Sequence, residues 1–343
     1  MIIDANPAGN SIPQYETIEF NGKLYFVMDD GIHGEEIWVT DGTTESTKIL
    51  KEINLGSAGA AIRKMYVWQN KLFFSANDGV NGSELWVSDG SETFTLMLLD
   101  IKSGSAGSYI SWFIDFGGKL YFSANDGISG TELWVTDGSA SGTRLLADIY
   151  PGGESSNPIW PVIYKDKLFF NADGGSGTEL WCTDGTQSGT LKVKEINPAA
   201  TGSYPFGFIV LDDKLCFSAN DESAGRELWV TDGTTIGTKL LKDINISGDF
   251  LDLSYGNAKL NNRAYFTGND GVHGKALWST DGTGEGIEMV KGINPDGFIS
   301  LRTPSLYNGK LYFTAEDGVN GNNLWVSDGT EQGTKLLAPD IFD

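Results

Sequence analysis

Short apolar runs, separated by Asn, Asp and Gly, follow one another along the whole chain. The run KLYFSA at 119–124 has apolar residues at successive positions, as in a strand that is covered on both faces. Runs of this length that are rich in Val, Ile, Phe, Tyr and Trp predict strands and hairpins. No long stretch carries the spacing of an amphipathic helix. The pattern therefore predicts an all-β fold.

One unit of this pattern is repeated along the chain. Its marker is the Trp of a Leu-Trp pair (Ile-Trp in the first copy), which recurs at intervals of 47 to 49 residues. The seven marker residues are Trp38, Trp86, Trp134, Trp181, Trp229, Trp278 and Trp325. An Asp-Gly pair begins three residues after each of them, and a Gly stands four residues before each. This recurrence indicates that the seven units share one backbone.

Each unit reads as four strands. In the fifth copy the apolar segments are FGFIVLDD, KLCFSAN, RELWVTD and TKLLKDI, which together span 206–244. A four-stranded sheet of this kind cannot cover both of its faces, so neighbouring sheets must do it. Radial stacking satisfies that need and leaves no exposed end sheet. The sequence predicts one seven-bladed β-propeller domain over 1–343, with four antiparallel strands per blade; a linear β-solenoid is the alternative.

The recurring residues have structural explanations. A buried Trp packs and takes one hydrogen-bond partner, Asp caps a turn through its carboxylate, and Gly permits a positive φ. We assign these roles to Asp78, Gly82, Trp86, Asp89, Gly90, Asp126, Trp134, Asp137, Asp221, Trp229 and Asp232. Recurring carboxylates could instead bind Ca²⁺, but the NDG loop lacks the dense ligand spacing of a calcium loop. We therefore predict turn capping with no cofactor and no metal, and keep Ca²⁺ as the alternative.

The stretch ANDGVNGSELW at 76–86 resembles the tryptophan-docking motif of quinoprotein dehydrogenase propellers. That resemblance implies that each indole lies against the next blade and that a buried polar group meets its N–H. The quinone chemistry is not implied, because the chain has no adjacent cysteine pair.

The whole chain also resembles the bacterial ELWxxDGT-repeat proteins. Its best matches are Glu132-Leu133-Trp134 with Asp137-Gly138, and the segment from Glu227 to Thr234. The pattern weakens in the last two copies, KALWSTDGT and NNLWVSDGT, where the Glu is missing. The resemblance implies a secreted or cell-surface bacterial protein and a surface-binding scaffold, and it names no ligand.

Charge and the rarer residues narrow the function classes. The formal net charge of −22 argues against a nucleic-acid partner, and no segment is long and apolar enough to enter a membrane. Cys182 and Cys216 read as small buried hydrophobes. His33 and His273 occupy the same loop position in copies one and six and read as exposed loop residues. No catalytic constellation is apparent from local sequence.

The N-terminus shows no signal peptide and begins inside the repeat pattern, which suggests a piece of a longer polypeptide. Its first four residues, MIID, resemble the end of a fourth strand. We predict that they lie beside the last blade and help to close the ring.

Residues that differ between copies mark the candidate site. They lie at the approach to the first strand, which should open on the face that carries the NDG loops between strands two and three. The predicted ligand-binding residues are Tyr15, Arg63, Trp112, Trp160, Tyr204, Phe206, Tyr255 and Arg302. The aromatic rings would stack on sugars and the arginines would hold an anionic group. Packing of the same aromatic rings between blades is the alternative.

The predicted function is a non-catalytic recognition module, monomeric, that binds a glycan or a protein on this face. A carbohydrate-active hydrolase, with carboxylates supplied by different blades, is the second hypothesis. A purely structural spacer is the third.

Overall fold

A computed structural model describes residues 16–246, 248–251, 256–294 and 299–338. Over these ranges the chain contains no helix, and its 28 strands form seven separate sheets. Each sheet has four antiparallel strands in the order of the sequence. This is the element content of a seven-bladed β-propeller, so the predicted fold class is confirmed. The predicted role of MIID falls outside the described residues.

The chain divides into two compact units. The first comprises the first three sheets, with residues 185–187 from a later turn. Its strands are β1 (Thr17–Phe20), β2 (Lys23–Asp29), β3 (Glu35–Thr40), β4 (Lys48–Lys51), β5 (Arg63–Trp68), β6 (Lys71–Asn77), β7 (Ser83–Ser88), β8 (Leu96–Leu99), β9 (Phe113–Phe116), β10 (Lys119–Asn125), β11 (Thr131–Thr136) and β12 (Arg144–Ala147).

The second unit comprises the other four sheets. Its strands are β13 (Ile159–Tyr164), β14 (Lys167–Asp173), β15 (Thr178–Thr183), β16 (Leu191–Lys194), β17 (Phe206–Val210), β18 (Leu215–Asn220), β19 (Arg226–Thr231), β20 (Lys239–Lys242), β21 (Asn257–Leu260), β22 (Arg263–Asn269), β23 (Lys275–Thr280), β24 (Glu288–Gly292), β25 (Ile299–Tyr307), β26 (Lys310–Glu316), β27 (Asn322–Ser327) and β28 (Lys335–Ala338).

The third strand of every sheet carries the same irregularity. Its pairing with the second strand is regular over the whole strand, whereas its pairing with the fourth shifts register immediately before the Trp. An extra residue at that point bends the strand and increases its twist. The Leu-Trp pair therefore marks one recurrent backbone feature as well as a sequence repeat.

The core lies between successive sheets of a unit. One cluster joins Ile37 and Val39 of the first sheet to Phe74 and Trp86 of the second. Equivalent clusters join sheets two and three in the first unit, and sheets four to seven pairwise in the second. Cys182 is buried in the cluster between sheets four and five, and Cys216 in the cluster between sheets five and six. Burial raises the pKa of Cys216 to about 12. Within each unit, successive sheets thus cover each other's apolar faces.

The marker tryptophans pack differently from what the docking-motif resemblance implies. Trp86 lies against the preceding sheet, while Leu85 packs toward the following one. Neighbouring residues of a strand point to opposite faces, so Leu and Trp cannot cover the same neighbour. The Trp38 indole donates to the carbonyl oxygen of Met28 at 3.1 Å. The other six marker indoles have no hydrogen-bond partner for their N–H among the described residues, namely those of Trp86, Trp134, Trp181, Trp229, Trp278 and Trp325.

Candidate functional site

The loops between the second and third strands are built around one carboxylate. In the second sheet Asp78 Oδ1 accepts hydrogen bonds from the backbone N–H groups of Val80 and Asn81, at 2.9 and 2.8 Å. Burial disfavours its charge, yet these donors hold the pKa of Asp78 below its ordinary value. The Asp78 carboxylate therefore caps the loop that contains it. Asp126, Asp221, Asp270 and Asp317 make the corresponding bonds in other sheets.

The segment that enters each new sheet lies beside these loops. Ser108 donates its backbone N–H to Ser83 O, where β7 begins, and accepts from Asn125 N, where β10 ends. The segment thus bridges the second and third sheets at the end that carries the loops. Tyr204 and Ser203 make the corresponding bonds in the second unit, to Thr178 O and from Asn220 N. In each unit we call the NDG loops together with these entry segments the NDG face.

Buried glutamates hold the preceding linkers in place. Glu132 is fully buried, and its carboxylate accepts from the backbone N–H groups of Ile149 and Ser156, both at 2.8 Å. Glu36, Glu84, Glu179 and Glu227 are equally buried at the same position of their sheets. Burial raises the pKa of Glu132 to about 6. These buried carboxylates thus hold the entry segments of the NDG face, through Ser156 in the first unit and Ser203 in the second.

Two of the predicted ligand-binding residues have exposed side chains on the NDG face of the second unit. Trp160 is 59% exposed and Tyr204 is 52% exposed. Both have left-handed backbone, with φ of 57° and 44°. Tyr109 takes the same entry position in the first unit, with φ of 54° and 66% exposure. Left-handed backbone is uncommon for a bulky residue and costs free energy, so the fold is destabilised somewhat at each of these three positions.

Three other predicted residues are engaged within the fold. Trp112 is half-buried and its indole donates to Pro158 O at 2.7 Å. Phe206 is half-buried under the Arg226 guanidinium, 4.8 Å from the ring centroid. Arg63 donates to Ile62 O at 2.7 Å and pairs with Glu35 at 3.3 Å. For Trp112 and Phe206 the packing interpretation describes the observed contacts.

The remaining predicted residues are not described by the structure. Tyr15 and Tyr255 lie outside the described residues, and nothing is described of the Arg302 side chain.

The structure places a cavity next to two of the residues that the sequence analysis selected. It has a volume of about 450 Å³ and lies in the first unit, lined by Glu16, Thr17, Lys64, Met65, Tyr66 and Phe113. Glu16 and Lys64 are the immediate neighbours of Tyr15 and Arg63, which the sequence analysis selected. Strand alternation would not have found them, because the pairing of β5 shifts register between Arg63 and Tyr66 and Lys64 has a left-handed φ of 61°.

A second feature that sequence reasoning missed is at the tips of the NDG loops. The residue after Asp-Gly is aliphatic in five copies and is 68 to 85% exposed, namely Ile32, Val80, Ile128, Val272 and Val319. Its recurrence six residues before the marker Trp was visible in the sequence.

The histidines of these loops are oriented by the capping carboxylate. The imidazole Nδ1 of His33 lies 2.6 Å from Asp30 Oδ2, and that of His273 lies 2.7 Å from Asp270 Oδ2. The hydrogen bond to Asp30 raises the pKa of His33.

No group of three or more His, Cys, Asp or Glu side chains suited to a metal ion occurs among the described residues. In the same part of the chain no helix could span a membrane.

Comparisons with known proteins find similar structures but no matching family or curated sequence. No protein-family model matches the chain, and no curated protein sequence does. A puromycin-hydrolysing peptidase of Mycobacterium tuberculosis is similar with a TM-score of 0.51 and 11% identity, over 97% of this chain and 54% of that one. Oligopeptidase B from Leishmania major is similar with a TM-score of 0.51 and 12% identity, over 97% and 49%.

A third structure, the β-propeller domain of the trilobed protease from Pyrococcus furiosus, matches with a TM-score of 0.42 and 13% identity, over 96% of this chain and 98% of that one. The chain spans about half the length of the two peptidases. At such identities the likeness concerns the fold and carries no activity to this chain.

Proposed function

We propose that the chain is a non-catalytic recognition module that binds a glycan through its NDG face. The observation that carries the proposal is the display of Trp160 and Tyr204, two exposed aromatic rings on left-handed backbone at one end of the second unit. Aromatic rings offer a flat apolar surface with a polar edge, which suits one face of a sugar ring. Their exposure leaves both rings accessible to a ligand without rearrangement of the sheets.

The charge of the chain narrows the ligand class. With a formal net charge of −22, the surface repels sulfated or other polyanionic glycans. Arg63, which was expected to hold an anionic group, is already paired with Glu35. We therefore propose an uncharged glycan. Following the ELWxxDGT resemblance, we also propose that the parent protein is bacterial and secreted or displayed at the cell surface, and that this module acts as a monomer.

A protein partner is the second candidate, and a different observation favours it. The aliphatic tips of the NDG loops, among them Ile32, Val80 and Ile128 in the first unit, are exposed on the same face as Tyr109. Apolar side chains at loop tips suit a protein surface better than a glycan. An Ile128→Ser variant should retain glycan binding if the first candidate holds.

A glycan array tests the proposal, with Trp160→Ala and Tyr204→Ala as variants. Each variant should weaken binding of an uncharged glycan about tenfold, which corresponds to about 1.4 kcal/mol. Phe94→Ser is the matched control, because Phe94 is an exposed aromatic residue in the turn between β7 and β8, where the first copy has Ser46. Repeating the array with a chelator tests the alternative that calcium takes part. Binding that neither aromatic substitution changes would exclude the proposed surface.

A further inference from the structure

The cavity of about 450 Å³ in the first unit is formed by the starts of three first strands. Glu16 and Thr17 lie at the start of β1, Lys64 to Tyr66 lie in β5, and Phe113 begins β9. These strand starts belong to the end of the sheets that carries the NDG loops, so the cavity opens within the NDG face of this unit. Its volume lies within the range of about 300–1,000 Å³ that is typical of small-molecule sites.

The cavity contains one fixed carboxylate with spare capacity. Glu16 Oε2 accepts the backbone N–H of Met65 at 2.6 Å, which ties the side chain of one sheet to the next. Glu16 Oε1 has no hydrogen-bond partner among the described residues, and neither have Lys64 Nζ and Tyr66 Oη. Three residues that line this one cavity thus carry an acceptor, a cation and a hydroxyl that have no hydrogen-bond partner among the described residues.

The opposite wall is aromatic. The ring centroids of Tyr66 and Phe113 are 6.1 Å apart with an interplanar angle of 39°, and Phe113 rests on the buried Phe122 at 5.7 Å. Tyr66 and Phe113 are half-buried, so each ring keeps part of its surface open. The packing beneath them fixes the orientation of this apolar wall.

We propose that this cavity binds one uncharged saccharide ring. The hydroxyls of a sugar both donate and accept, so one ring can satisfy the Glu16 carboxylate and the Lys64 ammonium together. Its apolar face can lie on Tyr66 and Phe113. One negative and one positive group in the cavity favour a ligand without net charge. This inference rests on the proposed function, because it names a saccharide subsite within the NDG face of the first unit.

Three variants test it by isothermal titration calorimetry with methyl glycosides of glucose, galactose and N-acetylglucosamine. Glu16→Gln keeps the acceptor for Met65 N–H and removes the charge. Lys64→Gly keeps the left-handed backbone, since Lys64 has φ of 61° and Gly207 and Gly256 take the same position in later sheets with φ of 68° and 82°. Tyr66→Phe removes one hydroxyl. Glu19→Gln is the matched control, an exposed glutamate three residues along the same segment.

The expected result is binding of at least one methyl glycoside to the unaltered protein. Glu16→Gln and Lys64→Gly should each weaken it about tenfold or more, Tyr66→Phe a few-fold, and Glu19→Gln not at all. Equal melting temperatures of all variants show that the fold is kept. Binding that survives both Glu16→Gln and Lys64→Gly would overturn the inference, and so would binding of glycylglycine in place of every glycoside.

The two proposals fail separately. If the array detects a glycan that requires Trp160 but no methyl glycoside binds in the cavity, the cavity inference is wrong and the proposed function stands. If no glycan and no glycoside binds, both are wrong.

Discussion

At the scale of single residues, the glutamates two positions before the marker Trp differ in how far burial raises their pKa. Burial raises the pKa of Glu227 to about 8, of Glu36 to about 7 and of Glu132 to about 6. The order follows the hydrogen bonds that oppose burial. Glu227 accepts from backbone N–H groups at 3.4 and 3.3 Å, Glu36 at 3.0 and 2.9 Å, and Glu132 at 2.8 Å with a further hydroxyl from Ser156. Closer and more numerous donors stabilise the charged form.

These raised pKa values predict that the protein loses stability as the pH rises. In the unfolded chain Glu227 titrates near 4.5, and in the folded chain near 8. Between these values the folded state binds the extra proton, so its stabilisation is complete below about pH 4.5 and is lost as the pH approaches 8. For Glu227 alone the free energy of unfolding should fall by roughly 2–4 kcal/mol between pH 5 and pH 8. Urea unfolding at a series of pH values measures it.

A substitution isolates the contribution of this carboxyl group. Glu227→Gln removes the titration, so its unfolding free energy should vary less with pH than that of the unaltered protein. The last two sheets have Ala276 and Asn323 at this position, which shows that the fold accommodates a neutral residue. Glu92→Gln, at an exposed turn glutamate, should leave the pH profile unchanged. A Glu227→Gln profile parallel to that of the unaltered protein would contradict the assignment.

At the scale of elements, the Asp-Gly turn after the third strand sets how closely two sheets approach. Gly90 has φ of 93°, and a Cβ atom there would lie 2.6 Å from the hydroxyl oxygen of Tyr25 in the preceding sheet. Gly138 has φ of 87° at the same turn, but its Cβ would meet Trp68 at 3.4 Å, an ordinary contact. The difference arises because the preceding sheet has Phe73 where the first has Tyr25.

Alanine at these two glycines should therefore have unequal effects. Gly138→Ala should lower the free energy of unfolding by about 1 kcal/mol, because only the left-handed backbone is unfavourable for alanine there. Gly90→Ala adds the collision with the buried Tyr25 hydroxyl, so we expect a loss of about 2–4 kcal/mol in the free energy of unfolding. Tyr25→Phe removes the obstructing oxygen and should restore part of the loss in the double variant. Chemical denaturation of the four proteins measures the coupling, and equal losses at Gly90 and Gly138 would contradict it.

The elements were predictable because their signals are local and repeated. Asp-Gly turns and continuous apolar runs such as 119–124 indicated four strands per unit without any knowledge of tertiary contacts. The direction in which the marker tryptophans pack was not predictable from the resemblance, because it depends on which face of the strand meets the preceding sheet. The residues predicted for the candidate site stay a prediction. That Glu16 and Lys64 line a cavity beside Tyr15 and Arg63 was not predictable, because the register shift and left-handed backbone of β5 are not visible in the sequence.

At the scale of the whole molecule, the dominant property is charge. The formal net charge of −22 comes from 46 acidic and 24 basic side chains. Among the described residues, the ion pairs of Arg63 with Glu35 and of Arg263 with Glu288 involve partly exposed side chains. Exposed pairs of this kind contribute about 0–1 kcal/mol each. They cannot offset the mutual repulsion of so large an acidic excess, so compactness itself is opposed by charge.

Added salt should therefore stabilise the protein. The screening length falls from about 30 Å at 0.01 M to about 10 Å at 0.1 M ionic strength, which removes most repulsion between distant carboxylates. We expect the melting temperature in NaCl to rise by at least about 2 °C over this interval. Calcium chloride at matched ionic strength is the comparison: an equal rise indicates screening, whereas a much larger rise in calcium would reveal a specific site at the carboxylate loops. A melting temperature that falls with NaCl would show that the ion pairs outweigh the repulsion, which would contradict the argument from net charge.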